Sequence, residues 1–267
     1  MKQELIKPII KVGNSAGVLL PRDWLNGNAK IELIKKPLDL KGDILGIVGG
    51  YLSRIAGVYV AGSYARNEQE EGSDVDVLVI TENVNKKIKK GKYDITYISK
   101  GEVERQLSEN ALPILPMIKE AQAIINGDLI KEYAKWNLNK KNLKWHIKTT
   151  KSAMKIVEKF IELEEDKKTG RHKISDNIAY SLILRLREVH IVDCMAKNKI
   201  PATKELLKLI VRLSGDKEAY YAYKRSKEKS SGLKRISTEQ ARKIYSYVNK
   251  KIKEQEEWLK AKSEESR

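Results

Sequence analysis

Two aspartates separated by one valine carry the clearest chemical signal in this sequence. Asp74 and Asp76 lie in the run SDVDVLV, which begins at Ser73. Because side chains alternate between the two faces of a strand, both carboxylates are expected on the same face. Two neighbouring carboxylates repel each other, and a hard divalent cation with oxygen ligands relieves that repulsion. The pair therefore predicts a divalent metal site at one edge of a sheet.

A Gly-Ser pair precedes the aspartates and ends a predicted strand. The strand Val58 to Ala61 is largely β-branched or aromatic, and Gly62 and Ser63 follow it. Residues this small let backbone amides approach phosphate oxygens closely. A phosphate-binding turn beside a carboxylate pair is typical of phosphoryl or nucleotidyl transfer with two metal ions.

The order and spacing of these residues resemble a known family. Gly62-Ser63 is followed, after ten intervening residues, by the two aspartates with their apolar neighbours. This pattern resembles the minimal nucleotidyltransferases of the DNA polymerase β superfamily, including the antitoxin type. The resemblance implies two Mg²⁺ ions held by Asp74, Asp76 and a third carboxylate. It also implies a nucleoside triphosphate, with ATP as the first choice, whose phosphates are held by Gly62 and Ser63.

The same resemblance assigns the third carboxylate. Asp94, in the run KYDITYIS, fits the family's carboxylate on a following strand and would orient or activate the attacking hydroxyl. Asn67 stands where the family commonly has glycine, and asparagine tolerates the left-handed conformation, so the turn is expected to survive. Arg66 has two equal interpretations: it reaches the triphosphate or base, or it forms a surface salt bridge with Glu68 or Glu70.

Residues 1–38 are too few to bury a core of their own. Three short apolar strands are predicted in this segment, at 6–12, 18–20 and 29–34. The phrase KPIIKVGNSAGVLLPRDWL resembles the swapped-hairpin modules of the AbrB and antitoxin type. That resemblance implies a homodimer formed by exchanged strands, often with DNA binding, for which Lys11 and Arg22 are the candidate phosphate contacts. The alternative is a dimerisation clamp that binds no DNA.

The C-terminal half carries nearly all of the net charge. Residues 1–130 contain 18 basic and 17 acidic residues, whereas residues 131–267 contain 35 and 19. A basic half of this kind suits a polyanion such as RNA or DNA. A lysine-rich solvated surface is an equally weighted alternative. Tyr221 and Tyr223, beside basic residues, either stack on bases or pack against a neighbouring helix.

The helical pattern of this half loosely resembles HEPN-like bundles. Arg185 and His190 have the spacing used by HEPN ribonucleases. Five positions on a helix correspond to about 140° around its axis. The two side chains therefore do not share a face, and ribonuclease activity is not expected. Since His146 and His172 have no Cys or His at ligand spacing, no zinc site is expected either.

Together these patterns predict an α/β protein of three parts. A nucleotidyltransferase core with a mixed sheet is expected over 39–133, between the N-terminal hairpin module 1–38 and a basic helical domain 134–267. A helix is predicted from Ile44 to Ala56. A capping box that begins at Ser237 is predicted to start the last helix.

The predicted activity is metal-dependent transfer of a nucleoside monophosphate to a hydroxyl acceptor. The acceptor is expected to be an RNA end, a hydroxyl of a cognate toxin protein, or a small molecule. The alternative function is an antitoxin-type DNA-binding regulator whose enzyme core is vestigial. The lone Cys194 and the lack of a long apolar run or signal peptide predict a cytoplasmic protein without disulfides or membrane spans.

Overall fold

The computed structural model describes residues 4–32, 34, 39–70, 72–166, 173–228, 230 and 235–264. The chain divides into two compact units, Met1–Leu40 and Lys41–Arg267. None of the described helices is long and apolar enough to cross a membrane.

The first unit contains a short antiparallel hairpin. Its strands are Ile10–Val12 (β1) and Ser15–Gly17 (β2), followed by a 3-10 helix over Arg22–Trp24. Gly13 has a φ of 57° and makes the turn between the strands. The hairpin is shorter than predicted: 18–20 and the described residues of 29–34 lie outside any strand, and position 33 lies outside the described residues. No described residue between 4 and 32 is buried, so this unit has no core of its own.

A mixed sheet lies at the centre of the second unit. In the described part of the chain it has five strands: Ile55–Ala61 (β3), Val75–Thr81 (β4), Lys86–Lys90 (β5), Tyr93–Ser99 (β6) and Gln122–Ile125 (β7). Their order is β5-β6-β4-β3-β7. β4 and β6 are parallel, and the other neighbouring strands are antiparallel. The predicted α/β class with a mixed sheet is confirmed.

The central strand β4 is apolar because both of its faces are covered. All of its residues except Asp76 are buried, including four valines and isoleucines and one leucine. The helices of this part of the chain are Leu40–Val48 (α1), Gly62–Ala65 (α2), Lys100–Glu109 (α3), Leu115–Glu120 (α4) and Gly127–Ala134 (α5). The predicted helix Ile44 to Ala56 is wrong in its second half. A 3-10 helix over Gly49–Arg54 replaces it, because paired glycines disfavour continued α-helix.

The rest of the second unit is helical, as predicted. Its helices are Lys140–Glu165 (α6), Asp176–Ala196 (α7), Thr203–Ser214 (α8), Glu218–Glu228 (α9) and Thr238–Glu264 (α10). Apolar residues of all five form one buried cluster. The predicted capping box is present. The backbone amide of Gln240 donates to the Ser237 hydroxyl at 3.1 Å, and the backbone amide of Ser237 donates to Gln240 Oε1 at 3.0 Å.

The helical part and the sheet share a second hydrophobic cluster. Ile191 and Met195, near the end of α7, are buried together with Tyr59 of β3 and Leu78 of β4. The end of α7 is thereby held beside the sheet.

Candidate active site

Asp76 and Asp94 lie side by side on neighbouring strands. β4 and β6 run parallel, and their register pairs these two residues directly. Asp74 is not part of a strand, because β4 begins at Val75. Its side chain is 49% exposed, and Lys89 pairs with it at 3.2 Å. The structure therefore brings Asp76 together with Asp94 more closely than with its sequence neighbour Asp74.

Gly62 approaches this carboxylate pair from β3. Its φ of 69° lies in the left-handed region, and a Cβ on it would lie 2.1 Å from Asp76 Oδ2. A side chain at this position is excluded on both grounds. Asn67 also has a positive φ, 53°, which confirms that asparagine can make the turn where glycine was expected. The backbone of Gly62 thus lies against Asp76.

The electrostatics of the pair are unbalanced. Burial raises the pKa of Asp76, and the neighbouring charge of Asp94 raises it further, whereas Lys227 and Lys87 act in the opposite direction. Lys87 pairs with Asp94 Oδ2 at 3.1 Å. Among the described residues, Asp94 Oδ1 is buried and has no hydrogen-bond partner. Buried polar atoms are almost always satisfied, so an orphaned carboxylate oxygen beside a second carboxylate fits an oxygen-liganded cation.

The three predicted aspartates do not converge on one point. Within the described chain, the single group of three ligand atoms that lie within 4.8 Å of one another is found elsewhere. Asp76 and Asp94 are therefore the central ligands of a candidate cation site, and the more exposed Asp74 lies at its edge.

Glu120, at the end of α4, is a site residue that the sequence did not indicate. Its Oε1 accepts a hydrogen bond from the Gly62 amide at 2.6 Å, and its other oxygen pairs with the Arg66 guanidinium. Arg66 also pairs with Glu68 at 2.9 Å, one of the two salt bridges considered for it, and donates to Thr203 at 3.1 Å. A carboxylate therefore already engages the amide and the guanidinium that are predicted to hold phosphate.

A cavity of about 840 Å³ lies between the sheet and the helices of the second unit. Its wall on the sheet side contains every predicted metal-binding and nucleotide-binding residue: Gly62, Ser63, Arg66, Asp74, Asp76 and Asp94. Its wall on the helical side is basic and aromatic, with Lys217, Tyr220, Tyr221, Tyr223, Lys224 and Lys227 from α9 and the segment before it. An acidic surface thus faces a basic one across a cavity of nucleotide size.

The remaining described sequence candidates lie in the first unit or on α7. Lys11 in β1 and Arg22 in the 3-10 helix are exposed residues of the first unit. Arg185 pairs with Glu188 at 2.6 Å, and both Arg185 and His190 border the cavity. His172 lies outside the described residues.

Comparison with solved structures gives distant likenesses. A nucleotidyltransferase-like protein from Exiguobacterium sibiricum 255-15 aligns at 14% sequence identity with a TM-score of 0.37, over 80% of this chain and 75% of that chain. Spectinomycin adenyltransferase AAD(9) from Enterococcus faecialis, solved with ATP and spectinomycin, aligns at 14% identity with a TM-score of 0.43, over 79% of this chain and 97% of that chain. No curated protein sequence gives a significant match.

Comparison with protein families gives a more extensive match. The nucleotidyltransferase domain family matches residues 44–245, which is well over half of the chain and includes both walls of the cavity. Nucleotide transfer is accordingly the activity class, and a nucleotide is the substrate. On this evidence the chain belongs to the nucleotidyltransferase domain family.

Proposed function

We propose that this protein transfers a nucleoside monophosphate from a nucleoside triphosphate to a hydroxyl acceptor in a metal-dependent reaction. The observation that carries the proposal is the direct pairing of Asp76 with Asp94 beside the Gly62 backbone. ATP is the triphosphate to test first.

The aspartates supply the metal ligands in this proposal. Asp76 and Asp94 would hold Mg²⁺ between them, and Asp74 would complete the site from its edge. Asp94 Oδ1, which has no hydrogen-bond partner among the described residues, would be one of the ligand atoms. Two bound Mg²⁺ ions would neutralise developing charge on the attacking and leaving oxygens. Asp94 would also orient the acceptor hydroxyl and accept its proton.

The Gly-Ser turn supplies the phosphate site. The Gly62 amide and Ser63 would hold the β- and γ-phosphates, and Arg66 would pair with one of them. Glu120 contacts both Gly62 and Arg66, so its carboxylate has to leave these donors when a triphosphate binds. Attack of the acceptor hydroxyl on the α-phosphorus would then form the new phosphoester bond and break the bond to the leaving pyrophosphate.

The helical wall supports an extended anionic acceptor. Lys217, Lys224 and Lys227 line the cavity opposite the aspartates, and Tyr221 is exposed beside them. These groups suit the backbone and bases of an RNA end. A hydroxyl of a partner protein, such as a cognate toxin, is the second acceptor to test.

Residues 1–38 would hold two copies together in this proposal. Exposed apolar side chains of the first unit would be covered by the partner copy: Leu5, Ile6, Ile9, Ile10, Val12, Leu19, Leu20, Leu25 and Ile31. Lys11 and Arg22 would contact DNA phosphates if the dimer binds DNA. The free thiol of Cys194 suits a reducing cytoplasm.

Labelled nucleotide transfer tests the proposal directly. Full-length protein is incubated with Mg²⁺, each α-labelled triphosphate, and either total RNA or cell lysate. We expect label on a macromolecule with the wild type, loss of label with Asp76→Ala, and normal labelling with Asp128→Asn, an exposed aspartate on α5 that serves as the matched control.

A second measurement separates chemistry from binding. Asp94→Asn should slow a single turnover far more than it weakens triphosphate binding, because Asp94 acts on the metal and the hydroxyl. Activity of Asp76→Ala within a few-fold of wild type would refute the assignment. No transfer by the wild type, together with tight binding of duplex DNA in gel shifts, would instead favour the regulator with a vestigial core.

A further inference from the structure

A second cluster of metal-ligand side chains lies at the end of α7 and includes none of the predicted metal-binding aspartates. A ring nitrogen of His190, the sulfur of Cys194 and a carboxylate oxygen of Glu205 all lie within 4.8 Å of one another. Such a convergence of nitrogen, sulfur and oxygen donors is typical of a site for a transition metal.

Local structure brings these residues together. His190 and Cys194 are four positions apart on α7, so they lie on one face of the helix. The chain then turns back, and the amides of Lys197 and Lys199 both donate to the Cys194 carbonyl, at 3.0 and 2.8 Å. Glu205 lies in the first turn of α8, which follows this turn. The cluster therefore sits on two helices joined by a hydrogen-bonded connection.

We propose that His190, Cys194 and Glu205 bind a zinc ion. The His190 Nε2 and Cys194 Sγ atoms are 3.6 Å apart. Tetrahedral zinc with a Zn–S bond of about 2.3 Å and a Zn–N bond of about 2.05 Å separates the two ligand atoms by about 3.6 Å. The two ligands of α7 thus already stand at the separation that a shared zinc ion requires.

The ligand chemistry distinguishes this site from the one at the aspartates. Thiolate and imidazole favour Zn²⁺, whereas Mg²⁺ takes oxygen ligands. The thiolate and the carboxylate together would balance the charge of the ion. Asp193, which lies on the same helix, is engaged with Gln255 at 2.9 Å and Lys251 at 2.9 Å. Three protein ligands remain, which leaves a fourth position for water or another ligand.

The location of the site links it to the cavity. His190 lies on the cavity wall, and so do Thr203 and Lys204 in the same turn of α8 as Glu205. Thr203 also accepts a hydrogen bond from Arg66. A zinc ion would therefore fix the start of α8 against α7 at the border of the nucleotide site. Zinc binding here is independent of the proposed acceptor and of Mg²⁺ at the aspartates.

Metal content and cobalt spectroscopy test the proposal. Full-length protein without a histidine tag is stripped with a chelator, given Zn²⁺ or Co²⁺, and freed of unbound metal. We expect about one ion per chain. With Co²⁺ we expect the near-ultraviolet band of a thiolate–cobalt bond and the intense visible bands of a tetrahedral ion.

The variants identify the ligands. Cys194→Ser should remove the thiolate band, and His190→Asn and Glu205→Gln should each lower the retained zinc. Glu257→Gln, at an exposed helical position on α10, is the matched control, and Asp76→Asn should keep its zinc because it belongs to the other site. Since Glu205 is exposed, its variant is expected to fold even if the Cys194 variant does not.

Two outcomes would overturn the proposal. One is failure of the wild type to retain zinc or cobalt. The other is retention that is unchanged in the Cys194 and Glu205 variants, which would place the ion elsewhere. In either case the contact between Cys194 and His190 would be a thiol hydrogen bond, and Glu205 would simply occupy the first turn of a helix.

Discussion

Asp76 is destabilising in its ionised form when no cation is bound. Its pKa is raised on folding, so its protonated form favours the folded state. That contribution is present below the pKa of the unfolded chain and is lost as the pH rises through the folded pKa. At neutral pH the folded protein therefore holds an unfavourable, partly buried charge, and a divalent cation should relieve it.

We expect Asp76→Asn to raise the melting temperature of the metal-free protein at pH 7 by a few degrees, about 2–4 °C for each kcal/mol gained in a chain of this size. Thermal unfolding in EDTA measures this gain, which should shrink as the pH falls towards 4. Mg²⁺ should stabilise the wild type more than the variant. An equal response of both proteins to Mg²⁺ would place the cation away from Asp76, and Asp128→Asn controls for the loss of one charge.

Glu120 would compete with a bound phosphate for the Gly62 amide and the Arg66 guanidinium, which it contacts in the structure. Glu120→Ala should strengthen binding of a non-hydrolysable triphosphate, by about tenfold if one charge-assisted hydrogen bond of about 1.5 kcal/mol no longer has to break. Calorimetric titration measures the dissociation constant. Glu68→Ala is the matched control, because Glu68 also pairs with Arg66, whereas the Gly62 amide donates to Glu120. Weaker binding by the Glu120 variant would mean that this residue instead holds the turn in its working shape.

The difference between the aspartates and Glu120 shows which site residues a sequence can reveal. Asp76 and Gly62 are visible because a strand and a tight turn fix their positions over a few residues. Asp74 was expected on the same strand face as Asp76, but it lies just before β4. Glu120 contacts Gly62 although 58 positions separate them in the sequence. No sequence periodicity links the end of α4 to the turn at Gly62. Contacts of this kind depend on tertiary packing.

At the scale of elements, the first unit cannot bury its own apolar side chains. Its hairpin has three residues in each strand, and no described residue between 4 and 32 is buried. A module of this size needs further surface to cover its apolar side chains. The sequence predicted that this segment is too short to bury its own core, and the absence of buried residues between 4 and 32 agrees. The predicted strands are longer and more numerous than the observed ones, because an apolar run such as 18–20 forms a strand only where a partner strand is available.

Deletion of residues 1–38 should convert a dimer into a monomer. Light scattering measures the mass of the full-length and truncated proteins, and nucleotide binding by the truncated protein checks that the second unit is still folded. Leu19→Lys, at a position that is 71% exposed, is a milder variant that should weaken the dimer without removing the segment. A truncated protein that remains a dimer would place the interface in the second unit.

At the scale of the whole molecule, the second half supplies the basic wall of the cavity. The sequence predicted the excess of charge in residues 131–267. It did not show that lysines of α9 would face the aspartates, because that arrangement depends on how the helices pack. The two tyrosines also differ in the structure: Tyr221 is 47% exposed, whereas Tyr223 stacks on Tyr180 with ring centroids 5.2 Å apart.

Tyr221→Ala should weaken binding of single-stranded RNA by about 1–3 kcal/mol if a base stacks there. Binding by the full-length protein should also fall with salt, by roughly 0.7 log units per phosphate contacted for each log unit of salt. Fluorescence anisotropy across a salt series measures both effects. Tyr223→Ala is the comparison, and it should lower thermal stability more than it lowers RNA affinity. If the protein binds no RNA even at low salt, the acceptor would be a protein or a small molecule.

The shared cluster of Ile191 and Met195 with Tyr59 and Leu78 limits how an acceptor can enter. Opening the cavity by swinging the helices away from the sheet would expose these side chains to water, at about 25 cal/mol for each Å² of apolar surface. Substrates are therefore expected to reach the aspartates without separation of the helices from the sheet. The two walls would then unfold as a single cooperative body, and protease cleavage between them should release no stable fragment.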